Sequence, residues 1–396
     1  MSVWSSLVGQ DAAVAQLSEA AVGARAIIAG RGGGRASDEA RSMSHAWLIT
    51  GPPGSGRSVA ARAFAAALQC TGEEPGCGAC PGCHTTMART NADVVFAATE
   101  TSIINVDTAR SLVLQAQSSP SQGLWRVIVV EDADRLGESG ANALLKAIEE
   151  PPEHTVWLLC APSPEDMIAT IRSRCRHLGL RIPTAAAVAD LLVREGVATP
   201  DVALEAARAA QSHIGLARAL ARDPQMRERR RAIITAPASV RSVGEAVMAA
   251  DRLLETAKAQ ADAQVSERNA REKAELLRQL GMDEGESATK ASRTMIRQLE
   301  EDQKRRSKRA LTDAIDRALI DLLAIYRDVL MVQVGGDGEL INTDLSDLVH
   351  EIAQDSTLRQ TLARVDHIET ARKRLVSNGN ALLVLEDMAI SLRPQA

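Results

Sequence analysis

Between residues 3 and 182 short apolar runs alternate with amphipathic stretches, the pattern of a parallel sheet covered by helices. The runs Ala46–Thr50, Val94–Ala97, Arg126–Val130 and 155–160 predict strands. The first, third and fourth each give way to a polar or Gly/Pro-rich segment, which places candidate ligand loops at the strands' carboxyl ends. Past Pro183 the strand signal stops. Ala/Leu/Arg-rich helical periodicity replaces it and predicts a small helical domain over 183–237. From 238 to 396 the chain reads as nearly unbroken helix, with breaks at 281–287 and 334–339, and predicts an all-helical third domain. The glycine-rich, charged segment 30–44 reads as a mobile surface insertion.

Composition supports several cores: 45% of the 396 residues are hydrophobic and 24% charged. Aromatics make up only 2%, against a protein that stacks single-stranded bases on exposed rings. A formal net charge of -5 means that no global positive field attracts nucleic acid, so any DNA contact is local or shared with partners. No apolar run approaches the roughly 20 residues that span a bilayer. The opening residues lack a basic region followed by an apolar stretch, so no secretory signal is read and the cytoplasm is the expected compartment.

The predicted strand Ala46–Thr50 runs into Gly51-Pro52-Pro53-Gly54-Ser55-Gly56-Arg57-Ser58, with helical periodicity behind it to Leu68. This is the frame of a P-loop, in which glycine-permitted backbone N–H groups and a helix N-terminus face phosphate, a lysine meets the terminal phosphates and a hydroxyl meets the metal. Here Gly51, Gly54, Gly56 and the hydroxyl residue Ser58 are kept, but Arg57 stands at the lysine position. A planar, forked guanidinium does not replace a compact ammonium at an enclosed point-charge site, so hydrolysis is not expected. The backbone cradle still allows ATP or ADP to bind. The matching acids at the end of an apolar strand are Glu131 and Asp132, in the reverse of the usual Asp-Glu order. The one-carbon difference in reach displaces both carboxylates from metal and water geometry. A solvated turn after a core strand is the alternative for this pair.

Cys70, Cys77, Cys80 and Cys83 lie in the string CTGEEPGCGACPGC. Four thiolates at this spacing can wrap one Zn²⁺ with no position open for water, so a structural site is expected. A reactive-thiol or disulfide use is the alternative. His84 reads as a bystander, and Cys160 and Cys175 as core thiols. The charged stretch 298–309 reads as a solvated helix face more readily than as a DNA contact.

Three further strings, Leu7-Val8-Gly9-Gln10, the segment 142–152 (NALLKAIEEPP) and Ile171-Arg172-Ser173-Arg174-Cys175, together with the P-loop and the cysteine insert, resemble the bacterial clamp-loader AAA+ family. That family comprises the delta-prime and gamma/tau subunits of DNA polymerase III. The resemblance covers about residues 3–182. It implies an AAA+ α/β domain at 1–182 with the cysteine insert at 70–83, a helical lid at 183–237 and a helical collar at 238–396. It implies that Arg174 is an arginine finger acting in trans and that Arg218, in His213-Ile214-Gly215-Leu216-Ala217-Arg218, is the lid's sensor arginine. Segment 378–386 is similar to the collar's last helix, whereas the charged insertion 259–308 is longer than the family leads one to expect. Arg57, the Glu131-Asp132 order and Cys160-Ala161-Pro162-Ser163 in the sensor stretch all depart from the ATP-hydrolysing gamma/tau pattern, while Ser173-Arg174-Cys175 is intact. This combination fits the delta-prime stator branch, with gamma/tau and delta-type subunits, the sliding clamp and primer–template DNA as implied partners. The alternatives are an active AAA+ ATPase of gamma/tau type and an arginine paired only within its own domain.

Overall fold

The computed structural model describes residues 2–30, 40–97, 104–281, 290–377 and 379–393. Residues 31–39 of the predicted insertion, most of the predicted 281–287 break and Asn378 lie outside them. The chain divides into two compact units, Met1–Arg218 and Ala219–Ala396, and the division falls inside the segment 183–237.

In the first unit, β1 (Ala46–Thr50), β2 (Val94–Ala97), β3 (Arg126–Val130), β4 (Thr155–Ala161) and β5 (Arg176–Gly179) form one sheet in the order β2-β3-β4-β1-β5. Every ladder is parallel, with Ala46 opposite Trp157 and Val127 opposite Val156. Alternation along the strands sends Trp47, Ile49, Val127, Val129, Val156, Leu158 and Cys160 to one face and Leu48, Ile128, Val130, Trp157 and Leu159 to the other. Both faces are buried, which is why the strands read as continuous apolar runs. On the first face lie α1 (Asp11–Ile28), α2 (Arg57–Leu68) and α3 (Pro81–Met87); on the second lie α4 (Val106–Ala116), α5 (Glu138–Glu149) and α6 (Ala169–Arg172).

β5 is absent from the predicted strands. Of its four residues only Leu178 is buried, so it carries no apolar run. It exists because β1 offers it a free edge, and the Arg176 guanidinium stacks 4.9 Å from the Trp47 ring centroid. After the sheet come α7 (Ala185–Arg194), α8 (Pro200–Ala209) and α9 (Ile214–Arg222).

The second unit is helical: α10 (Pro224–Ser239), α11 (Val243–Gln279), α12 (Lys290–Gln333), α13 (Ser346–Asp355), α14 (Leu358–Val376) and α15 (Ala381–Ser391). Its apolar core draws Leu254, Ile315, Leu319, Leu322, Ile325, Ile368 and Leu385 together. Beneath it runs a buried polar network. Arg230 Nε donates to Asp321 at 3.1 Å and its Nη2 to Asn342 Oδ1 at 2.6 Å, and Asn342 in turn donates to the fully buried Asp328. The charged insertion is the far part of the α11–α12 pair. There the small apolar seam of Ala261, Val265 and Ala310 gives way to polar links, with Arg306 donating to Asn269 and Glu272. Among the described residues, no helix is long and apolar enough to cross a membrane.

Candidate functional site: phosphate loop, acidic strand and cysteine cluster

β1 delivers the chain to Gly51, and α2 begins at Arg57. Gly54 and Gly56 hold φ of +90° and +92°, a region closed to other residues at acceptable cost. A Cβ at Gly54 would also come within 3.0 Å of the His213 backbone, just before α9. The loop is braced from the amino terminus. Buried Gln10 donates to Ser55 O at 3.2 Å and to Arg181 O at 2.6 Å, and accepts from Arg181 N at 3.2 Å. The Val-Gly-Gln string therefore ties the loop to the chain leaving β5. The first amides of α2 have no intrahelical acceptor, and with the loop they form a cradle suited to an anion. Ser58 lies half-buried in the first turn of α2. Arg57 is half-buried as well, and among the described residues neither its Nη1 nor the buried Ser55 Oγ has a hydrogen-bond partner.

Glu131 and Asp132 follow β3 at the same end of the sheet. Glu131 Oε1 is held by Arg89 in an ion pair, its side chain 13% exposed. Arg89 sits in the turn after α3 with φ +59° and lies 4.9 Å from the Phe96 ring centroid. Arg62 on α2 joins this neighbourhood: burial and the nearby Arg89 charge lower its pKa, against the pull of Glu131. Burial, and then the charge of Asp132, raise the pKa of Asp134. Sequence reasoning missed Arg89 and Arg62, because neither spacing nor motif says which carboxylate a loop arginine meets.

The four cysteine sulfurs lie within 4.8 Å of one another, Cys70 and Cys80 3.8 Å apart, and all four thiols are free of disulfides. A tetrahedral thiolate site with metal–sulfur bonds of ~2.3 Å needs sulfurs about 3.8 Å apart, far beyond the roughly 2.05 Å of a disulfide. Backbone N–H groups of Cys80 and Cys83 point at Cys77 Sγ and Cys80 Sγ, both at 3.4 Å. Burial raises the Cys80 thiol, but the donors from Cys83 and Thr71 outweigh it and bring it down to about 6. The amides of Cys77, Gly72 and Gly76 similarly overcome burial at Cys70. Cys83 is pushed up by burial and by the thiols of Cys80 and Cys70. Four sulfurs at this spacing could hold one metal ion. Trp4 Nε1 donates to Pro75 O and Arg25 to Glu73 O and Cys70 O, fastening the module to the amino-terminal segment. Cys160 is buried and Cys175 packs on the core; burial pushes both to about 12.

Of the three neighbouring arginines, Arg176 is spent on Trp47 and the Ser42 carbonyl, and Arg172 donates to Pro164 O. Arg174, 39% exposed, pairs with Glu149 at the end of α5 and donates to Thr170 O at 2.8 Å. Arg218 forms a two-pronged pair with Glu195, both bonds 2.8 Å, which raises its pKa and holds it against the end of α7.

A parallel sheet with a glycine loop at the end of β1, acids at the end of β3 and a helix N-terminus behind the loop defines a P-loop α/β unit. Residues 35–184 match the family described as DNA polymerase III, delta subunit. The chain is 33% identical over 205 residues to DNA polymerase III subunit gamma/tau of Mycobacterium tuberculosis, covering 50% of this chain and 32% of that protein. It is 36% identical over 180 residues to subunit delta' of Pseudomonas aeruginosa (44% and 52% covered) and 35% over 191 residues to delta' of Escherichia coli (47% and 57%). The chain thus spans between about a third and somewhat over half of these relatives. A gamma subunit-related protein of Thermotoga maritima aligns over 88% of this chain and 94% of its own at 16% identity, with a TM-score of 0.43. Over its first unit the chain is thus similar to clamp-loader subunits of DNA polymerase III, of both the delta' and the gamma/tau kind.

Proposed function

We propose that this protein is the delta-prime-type stator of a replicative clamp loader, an AAA+ subunit that does not split ATP but lends Arg174 to a neighbouring ATPase subunit. The observation that carries the reading is a contrast within one unit. In the chain's own pocket the lysine position is Arg57 and the strand-end acid Glu131 is taken by Arg89, whereas Arg174 stands at the surface with an edge to offer. A guanidinium reaching across a subunit boundary stabilises charge developing on the transferred γ-phosphoryl group, an effect worth about 10³–10⁵ in rate in other phosphoryl-transfer enzymes.

In this reading the second unit serves as the oligomerising collar, the region 183–237 as the lid and the cysteine cluster as a structural zinc site. The machine works in the cytoplasm on the sliding clamp and primer–template DNA. Arg218, engaged with Glu195, would have to exchange that partner to touch nucleotide. The intact cradle at Gly54 and Gly56 and the gamma/tau relative favour a second reading, an active ATPase of gamma/tau type. Reconstituting the loader with this chain as wild type or Arg174→Ala tests the first. DNA-stimulated hydrolysis should collapse in the variant, and unchanged hydrolysis removes the finger assignment.

A further inference from the structure

In a working P-loop pocket the acid at the strand end faces a divalent cation through its oxygens. The residues around Glu131 do not fit that ion. We infer that Arg89 takes the metal's place at Glu131, so that this pocket holds a nucleotide's phosphates with arginine and backbone alone, without a divalent cation. The inference rests on the non-hydrolysing reading of this pocket and is independent of Arg174.

Four features hold the pair in place. Arg89 occupies a left-handed turn closed by Arg89 N donating to Thr86 O at 3.0 Å and Thr90 N donating to Thr85 O at 2.8 Å. Asn91 Nδ2 donates to Thr85 Oγ1 at 3.1 Å, tying the far side of the turn to α3. That helix is pinned in the core by fully buried Cys83 of the cysteine cluster, and the guanidinium is backed by Phe96. The cysteine module is therefore the scaffold that aims Arg89 at Glu131, and a folded module keeps this carboxylate engaged.

The surroundings are rich in donors. Besides Arg89, Arg62 lies close enough to Glu131 to feel its charge. Arg62 Nε, Arg57 Nη1 and Ser55 Oγ are buried with no hydrogen-bond partner among the described residues, and a buried donor without an acceptor is costly. A divalent cation would add positive charge to cations and offer no acceptor to those donors. A phosphate group supplies both the negative charge and the acceptor oxygens.

The test titrates the full chain with a fluorescent ADP, once in excess EDTA and once in Mg²⁺, and monitors phosphate release from ATP alongside. Equal affinity with and without Mg²⁺ is expected. Arg89→Gln should create a preference for Mg²⁺ of about tenfold, within the usual range of coupling between sites. Should Arg89→Gln not fold, Glu131→Gln serves instead: with the strand-end carboxylate gone, binding with and without Mg²⁺ should stay equal to each other, and a loss of binding in EDTA alone would overturn the inference. Binding that requires Mg²⁺ in the wild type, no binding in either condition, or no gain of Mg²⁺ preference in a folded Arg89→Gln would each overturn the inference. Phosphate release sinks the non-hydrolysing reading itself, whereas Mg²⁺-dependent binding without release sinks only the role of Arg89.

Discussion

Arg174 Nε is held by the Glu149 carboxylate, and its Nη1 donates to Thr170 O and Ser173 Oγ, so the guanidinium is oriented by its own subunit while staying 39% exposed. An exposed pair of this kind contributes only ~0–1 kcal/mol after solvent screening. Arg174 can therefore leave Glu149 for a phosphate at little cost. Arg174→Ala should melt within a few degrees of wild type, since it removes little stability, and should slow the reconstituted loader's DNA-stimulated ATPase by about 10³. Thermal melts paired with steady-state turnover check both halves; a large loss of stability would recast Arg174 as structural.

Cys80 donates one of four clustered sulfurs and caps α3 by accepting from Cys83 N. Cys80→Ser should drop the bound metal from about one ion per chain to near zero, because three thiolates no longer close a tetrahedron. It should also loosen α3 and the Trp4–Pro75 contact. Elemental analysis of purified wild type and variant reads the first effect, and Trp fluorescence the second. Wild-type protein without metal would end the assignment.

Asp93 is fully buried and accepts from Ser121 N, Gln122 N and Gly123 N at 2.6–2.7 Å. Burial raises its pKa, but these donors outweigh burial and set it below the ordinary carboxylate value. A depressed folded-state pKa stabilises the fold above the unfolded carboxylate's pKa, and the contribution is lost as pH falls through the folded value. Asp93→Asn should remove that acid-side slope and cost about 1–3 kcal/mol near neutrality. Urea melts from pH 7 downward measure it; an identical slope in both proteins would contradict the assignment.

Arg230 and Asp321 in the second unit are 9% and 7% exposed, and Arg317 also donates to Asp321 at 2.7 Å. Removing one member of a buried pair leaves an uncompensated charge and typically costs ~3–5 kcal/mol. Asp321→Ala should destabilise the helical unit by that order in denaturant melts, whereas Lys258→Ala on the exposed surface should change nothing measurable.

Much of the α/β unit was legible because its strands are buried on both faces: β1 and β3 match the predicted runs end to end. β4 runs one residue longer, to Ala161. β5 was not legible, since an edge strand with one buried residue has no period to read. The Gly51–Ser58 loop and the four cysteines were found because their chemistry is written in local spacing. Arg89, Arg62, Glu149 and Glu195 were missed because each acts across 23 to 69 residues of chain, from Arg218–Glu195 to Arg62–Glu131, where only the fold decides who meets whom. The long α11–α12 pair was visible as helical periodicity, but the buried network that joins Arg230 of α10, Asp321 of α12 and Asn342 carries no local signature.

In the proposed division of labour, catalytic help is exported from a pocket that does not itself split a phosphoanhydride. Its most direct test is phosphate release by the purified chain alone, with ATP and Mg²⁺. No release above the uncatalysed background is expected, before or after Glu131→Ala; steady release that Glu131→Ala abolishes would make this chain an ATPase in its own right.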